Sequence, residues 1–353
     1  MSTLEDLLSL RDLTDPAAGP HALQLVVDRA VDALRALWPC EVRVRRGERV
    51  VTVADNYDNL GYDRAAVTRD ARYTRYAGHD RVLRSHSSAL IPAALRELAA
   101  DPVDDVLLVC PGIVYRRDSI DRLHTGTPHQ LDLWRVTRAE IGEAELAAMT
   151  AAIVSAVLPG SIESKTPRKH SYTRSGCQLD VDGIEIGECG LIHPAVLARA
   201  GLGPGWGGLA LGLGLDRLLM LAKGVPDIRL LRSAEPAVQA QMTDLRPYRP
   251  VSTRPSTSRD VSIVVDSGDA AEDLGDRVRE ALGPDADCVE AVEIRHATEY
   301  ADLPEVARER LGARPGQQNL LVRIVLRHLD RTLSAAEANG LRDRIYAALH
   351  QGG

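Results

Sequence analysis

Between Pro20 and Leu37 the apolar residues Leu23, Val27, Ala30, Val31 and Leu34 recur at three- and four-residue intervals, and Pro39 follows. This spacing predicts an amphipathic helix that the proline ends. Short β-like runs come next at Val42–Val44 and Val50–Val53, then a Tyr- and Asp-rich loop, then a second helix over Ile91–Ala99. The run Val106, Leu107, Leu108, Val109 predicts a buried strand whose antiparallel partner, Leu131–Val136, lies beyond a polar stretch from Arg116 to Gln130. Ala139–Leu158 predicts a long Ala-rich helix, and the polar, basic segment Ser161–Ser175 an exposed loop. Strands over Leu179–Ile186 and Leu209–Leu211 lead into Gly212-Leu213-Gly214 and a helix, Leu215–Ala222.

The segment 246–255 is rich in Pro and Arg and lacks periodicity, which places a boundary between residues 1–245 and 246–353. Beyond it Val261, Ile263 and Val265 alternate as a strand, Ala271–Leu282 reads as a helix, Val289–Ile294 and Leu320–Leu326 as strands, and Ala335–Leu349 as a last helix. This alternation predicts a ferredoxin-like α+β sandwich.

Composition narrows the picture further. With 44% hydrophobic and 26% charged residues the chain is an ordinary globular one. No apolar run approaches the roughly 18 residues of a membrane span, and the acidic N-terminus MSTLEDLLSL is unlike a signal peptide. A cytoplasmic protein is expected. Five scattered cysteines with no CxxC pair predict reduced thiols rather than a zinc site. A net charge of -7 means that any nucleic-acid binding must use a local basic face. Phe is absent, and arginine carries nearly all the positive charge.

Two segments concentrate chemistry. In Gly112-Ile-Val-Tyr-Arg116-Arg117-Asp118, followed by Asp121, His124, His129, Gln130 and Asp132, charges crowd between two strands. In Gly207-Gly208-Leu-Ala-Leu-Gly212-Leu-Gly214-Leu-Asp216-Arg217 a Gly-rich strand end runs into a helix with an arginine in its first turn. Glycines let a backbone approach a ligand closely, and arginine forks suit phosphate oxygens. Arg116 and Arg217 are thus candidates to hold two phosphates of one ATP. Trp38 and Trp206 are expected to pack, and His193-Pro194 to shape a turn.

These segments resemble motifs 2 and 3 of class II aminoacyl-tRNA synthetases, in detail those of the phenylalanyl-tRNA synthetase family. "GIVYRRDSIDRLHTGTPHQLD" is similar to motif 2, and "GLALGLGLDRLLML" with "GVPDIRLL" to motif 3. "IEIGECGLIHPAVL" and "LRSHSSA" resemble two further blocks, and "RPSTSRDVSIVV" with "DRTLSAAEANGLRDRI" resembles the ferredoxin-fold anticodon-binding domain of the single-chain enzymes. The resemblance implies an α+β fold, a class II antiparallel sheet flanked by helices with the small sandwich behind it. It implies ATP and Mg2+ as cofactors, an amino acid and tRNA as substrates, and a monomer or homodimer. By motif, Arg116 contacts the α-phosphate and Arg217 the γ-phosphate, while Asp118, His124, His129 and Gly214 help hold ATP. Glu185 positions magnesium, His86 and Ser88 face the amino acid carboxylate, and Gln130 and Asp132 bind its ammonium group.

The side-chain pocket departs from the family. Its F-P-F-x-E-P segment reads His170-Ser-Tyr172-Thr-Arg174-Ser175, its F-A-F strand reads Leu209-Ala210-Leu211, a glycine is Glu188, and Pro128 replaces the Phe that stacks on adenine. Glu188, His170 and Arg174 predict a more polar pocket and a polar or basic substrate instead of Phe, because a buried polar group left unpaired costs about 1–3 kcal/mol. The alternative has Glu188 pointing away and paired with Arg174. The small unit's arginines do not outnumber its acids, although Arg246, Arg249, Arg254 and Arg259 are placed to form a local basic face. Two other readings therefore stand beside tRNA charging: a ligase that passes the amino acid to a carrier protein or small molecule, and a non-catalytic binding paralogue.

Overall fold

The predicted first helix, α1, runs from Ala22 to Leu37 in a computed structural model that describes residues 4–69, 74–251, 255–329 and 331–353. It starts two residues later than the pattern suggested, because the His21 side chain accepts the Leu23 amide and caps it. β1 (Glu41–Val44) follows, and β2 (Val50–Thr52) pairs with β3 (Arg81–Leu83) as a separate ribbon. After α2 (Ile91–Ala100) come β4 (Asp105–Ile113) and β5 (His129–Thr137), the predicted antiparallel pair. α3 spans Glu143–Val157 and begins where Glu145 accepts the Gly142 amide.

Two expectations fail next. Part of the segment read as an exposed loop is an edge strand, β6 (Glu163–Pro167). The single strand read over Leu179–Ile186 is a hairpin, β7 (Thr173–Val181) and β8 (Ile184–Ile192), turned by Asp182 and Gly183 at φ 53° and 76°. An Asp-Gly pair between apolar runs is a type I′ turn signal, so this correction was available from the sequence. β9 (Gly207–Gly214) and α4 (Leu215–Lys223) complete the large unit. The sheet order is β1-β4-β5-β9-β8-β7-β6, with only β1 and β4 parallel.

Period-two alternation divides the central strands between two cores. Leu107 and Val109 of β4, Leu131 and Leu133 of β5, and Leu209, Leu211 and Leu213 of β9 pack against α1, α3 and α4. Val106, Leu108, Trp134, Val136 and Ala210 face the other way, onto α2 and its surroundings. Burial on both faces is why β4 reads as an uninterrupted apolar run.

At Gly112 the β4 backbone takes φ +151°, and an added Cβ would lie 2.1 Å from Nη2 of the buried Arg84. Gly112→Ala is expected to lower stability by about 1–3 kcal/mol, seen as a reduced urea midpoint at unchanged slope.

Beyond residue 245, β10 (Thr257–Asp266), α5 (Ala271–Leu282), β11 (Val289–Glu299), β12 (Gln317–Leu326) and α6 (Ala335–Leu349) form a three-stranded antiparallel sheet, order β10-β12-β11, with two long helices. The outer side of β10 is met by the chain end, where the Gln351 amide donates to the Val264 carbonyl at 2.8 Å. This unit has its own apolar core, into which the large unit contributes Ile120. Arg279 donates to the carbonyls of Asp118 and Ser119, and Asp276 pairs with Arg75 at 2.9 Å and Arg117 at 3.0 Å. Of the four arginines read as a basic face, Arg254 lies outside the described residues, Arg246 and Arg249 are exposed, and Arg259 is bound to Asn339 and Thr257.

Candidate active site

The Gly-Leu alternation of β9 makes the site. Its leucines fill the core behind the sheet, so Gly208, Ala210, Gly212 and Gly214 occupy the opposite face, where small residues leave room above the backbone. Register then sets a row: Asp132 of β5 lies directly opposite Gly212, and Gly212 directly opposite Glu188 of β8. Two carboxylates thus flank a glycine floor, with Cα atoms roughly 10 Å apart by two strand spacings. Above this floor is a cavity of about 540 Å³.

One end of the cavity is cationic. Arg116, Asp118, His124, Pro128, Glu185, Gly214 and Arg217 line it. Arg217 donates through Nη1 to the Glu185 carbonyl at 3.0 Å and through Nη2 to His124 Nε2 at 2.8 Å. His124 Nε2 is therefore an acceptor, and its Nδ1–H donates to Asp121 at 2.6 Å. Burial raises the Asp121 carboxyl, but the His124 and Leu123 hydrogen bonds outweigh it and hold the group below its ordinary value. Arg116 Nε stands 3.2 Å from Asp118 Oδ2, yet is buried without a well-formed hydrogen bond. A guanidinium so placed has donors to spare for a phosphate, which fits the nucleotide implied by the sequence. For magnesium the fit is narrower. Among the described residues no group of three or more His, Cys, Asp or Glu is placed to hold a metal ion, so Glu185 suits one only together with phosphate oxygens, the usual manner for magnesium.

The other end is aromatic and acidic. Asp132 is 3% exposed and accepts from Ser87 Oγ at 2.5 Å and Trp134 Nε1 at 3.1 Å. Among the described residues no cation pairs with it. Desolvation, with a smaller push from the Glu188 charge, raises its carboxyl to about 6. His86, stacked on Tyr62 with centroids 5.5 Å apart, is driven down to about 4 by burial and is neutral near pH 7. Its Nδ1 meets Ser88 Oγ at 2.9 Å, while its Nε2 is buried and makes no well-formed hydrogen bond among the described residues. Gln130 Oε1 accepts the Ser87 amide, leaving its NH2 group toward the cavity.

Several residues stand elsewhere than the sequence placed them. His129, assigned to the nucleotide, is fully buried on the opposite face of β5 from Gln130; its backbone and Nδ1 donate to Asp216, and its Nε2 accepts the Leu13 amide. Ala210 is buried beneath its neighbour Trp134 and does not reach the cavity. Arg174 is exposed outside it. Glu188 points in, against the alternative, and its partners are His170 Nε2 at 3.1 Å and Arg168 at 3.4 Å, not Arg174. Burial raises the Glu188 carboxyl, and the His170 hydrogen bond and nearby charges more than reverse this. His170 acts from behind Glu188 and is not part of the wall, whereas Tyr172 is. Sequence reasoning missed Tyr62, Arg168 and Trp134. Trp134 was legible in part, since a residue two beyond Asp132 on a strand shares its face.

A carboxyl titrating near 6 gives a directional test. The resemblance puts an amino acid's ammonium group on Asp132, a pairing that requires the ionised carboxylate, so KM for that amino acid is expected to rise below pH 6, approaching tenfold per unit. Steady-state KM from pH 5 to 8 checks this, and Asp132→Asn removes the break.

The comparisons with known proteins agree with this geometry. The family model described as the tRNA synthetases class II core domain (F) matches residues 10–242. The chain is 31% identical over 234 residues to the phenylalanine–tRNA ligase alpha subunit of Prochlorococcus marinus, covering 64% of this chain and 68% of that protein. It is 28% identical over 362 residues to the probable mitochondrial phenylalanine–tRNA ligase of Drosophila melanogaster, covering 85% and 75%. Among solved structures, pyrrolysyl-tRNA synthetase from Desulfitobacterium hafniense superposes with a TM-score of 0.52 at 15% identity, over 70% of this chain and 81% of that one, a likeness of fold. No helix among the described residues is long and apolar enough to cross a membrane. With its motif 2 strands, glycine-floored β9 and motif 3 arginine in one matched core, this chain belongs to the class II aminoacyl-tRNA synthetases, as a phenylalanyl-tRNA synthetase-like ligase.

Proposed function

We propose that this protein uses ATP to adenylate an amino acid with a polar or basic side chain, releasing pyrophosphate, and passes the aminoacyl group to tRNA. The observation that carries this reading is the meeting, in one cavity, of two phosphate-competent arginines, Arg116 and Arg217, with a buried carboxylate, Asp132, that pairs with no cation among the described residues. Arg116 takes the α-phosphate and Arg217 the γ-phosphate, with Asp118, His124 and Gly214 bordering the nucleotide. Gln130 and Asp132 take the substrate ammonium. His86 and Ser88, which both border the cavity, face the substrate carboxylate. Magnesium on Glu185 and the phosphates supplies charge neutralisation. Holding the carboxylate in line with the α-phosphorus among fixed cations promotes attack without a protein base.

The polar preference rests on Glu188, which occupies the cavity wall where the family has glycine. We further propose that residues 1–245 form the catalytic domain and 246–353 an anticodon-binding-like domain, in a cytoplasmic protein. A carrier protein or small molecule as acceptor is the second reading. It is favoured by the many arginines of the small unit that are spent on internal contacts, such as Arg323 with Asp260 and Arg344 with Asp285.

Amino-acid-dependent ATP–pyrophosphate exchange across the standard and common non-standard amino acids tests the reading. Exchange with one polar or basic amino acid, followed by charging of bulk tRNA, supports it. Exchange without charging favours the other acceptors, and exchange with Phe alone overturns the pocket.

A further inference from the structure

The row after Asp132–Gly212–Glu188 is Trp134–Ala210–Gly190. Small residues at Ala210 and Gly190 would let the cavity deepen there, but it does not. Tyr172 lies over this row, stacked on Trp134 with centroids 5.4 Å apart and an interplanar angle of 27°, and both rings are buried. His170 stacks on the other side of Tyr172 at 6.2 Å, and Tyr62 closes against it at 6.5 Å. Trp134 is further tied by its Nε1–H to Asp132. The end of the pocket is therefore a fixed aromatic wall, one strand residue pair beyond the carboxylates.

A substrate seated by its ammonium on Asp132 must lay its side chain over Gly212, since Tyr172 blocks the deeper direction. An added Cβ at Gly212 would already lie 3.8 Å from the Asp132 carboxylate oxygens, so the glycine keeps this lane open. The lane ends at Glu188. That carboxylate is held by His170 from the buried side and is approached at 3.4 Å by the half-exposed Arg168, whose guanidinium also donates to Gln178 at 2.7 Å and lies 3.6 Å from Glu185. An apolar side chain would leave Glu188 without a partner in the lane, and a neutral polar one would leave its charge unmatched. A long one would reach past it.

Resting on the adenylation reading above, we propose that the substrate is a short α,ω-diamino acid, of the size of 2,3-diaminopropionate to ornithine, with its α-ammonium on Asp132 and its side-chain ammonium on Glu188. Tyr172, braced by Trp134, closes the deeper direction that a longer chain would need, and Glu188 at the end of the lane sets the charge.

The test is ATP–pyrophosphate exchange by the full chain with 2,3-diaminopropionate, 2,4-diaminobutyrate, ornithine, lysine, 2-aminobutyrate and phenylalanine, alongside calorimetric titration of 2,4-diaminobutyrate without ATP. We expect kcat/KM for diaminobutyrate to exceed that for 2-aminobutyrate and phenylalanine by about a hundredfold. Within Glu188→Gln the diaminobutyrate to aminobutyrate ratio should collapse by about tenfold or more, a comparison unaffected by partial unfolding. In Tyr172→Ala the ratio of lysine to diaminobutyrate should rise. Wild-type preference for neutral amino acids or phenylalanine overturns this proposal and leaves adenylation standing, as does preference for lysine over the shorter homologues. Absence of exchange with every amino acid, together with no binding heat from 2,4-diaminobutyrate, overturns both.

Discussion

Arg217→Ala is expected to lower amino-acid-dependent pyrophosphate exchange by about 10²–10³-fold, the usual effect of removing one preorganised charge-stabilising donor. The loss should fall on kcat, and on KM for ATP, and leave KM for the amino acid nearly unchanged, because Arg217 sits at the opposite end of the cavity from Asp132. The guanidinium is fixed before any nucleotide arrives, by the Glu185 carbonyl and by His124, which Asp121 holds in turn. Arg217→Lys keeps a charge but not the fork that spans His124 and Glu185, and should recover only a small part of the rate. A near-wild-type rate in Arg217→Ala, with the fold intact by circular dichroism, would remove the motif 3 arginine from the mechanism.

The second large effect is on stability. Asp216, 2% exposed, accepts both the backbone amide and Nδ1–H of His129, at 2.5 and 3.2 Å. Burial raises its carboxyl, but the interactions with His129 and the nearby Arg232 charge prevail and hold it below the ordinary 3.8. Asp216→Ala leaves two buried N–H donors without their acceptor and removes the negative charge near the buried Arg232 guanidinium, at an expected cost of about 3–5 kcal/mol in urea unfolding near neutral pH. The sign of the pH dependence follows from the depressed value. The stabilisation is present above 3.8 and is lost as pH falls through the folded value, so wild type and variant should converge in acid.

The assignment of His129 to the nucleotide shows where sequence reading stops and where it need not have. Gln130 and Asp132 were placed toward the ligand, and period-two geometry sends their neighbour His129 to the other face, toward Asp216 and Leu13. That correction needed no structure. The burial of Ala210 did, because it depends on β5 and β9 pairing with Trp134 opposite Ala210, and no local pattern states which strands are neighbours. β6 was missed for a different reason: an exposed edge strand of Glu, Ser, Lys and Thr has no apolar face to betray it. The elements that were legible, α1, α2, β4, β5 and both helices of the small unit, are those with one or two buried faces or a clear cap. The arginines were legible through motif spacing, but the Arg217–His124–Asp121 relay joins residues far apart in sequence, so the fold alone brings it together.

The central claim is that this cavity joins a carboxylate to the α-phosphate of ATP. Its most direct test is to incubate the protein with ATP, magnesium, hydroxylamine and an amino acid mixture, and to follow the phosphorus products by NMR. The account predicts AMP and pyrophosphate in equal amounts, formed only when amino acids are present, together with an amino acid hydroxamate. ADP and inorganic phosphate, or AMP formed equally without amino acids, would contradict it.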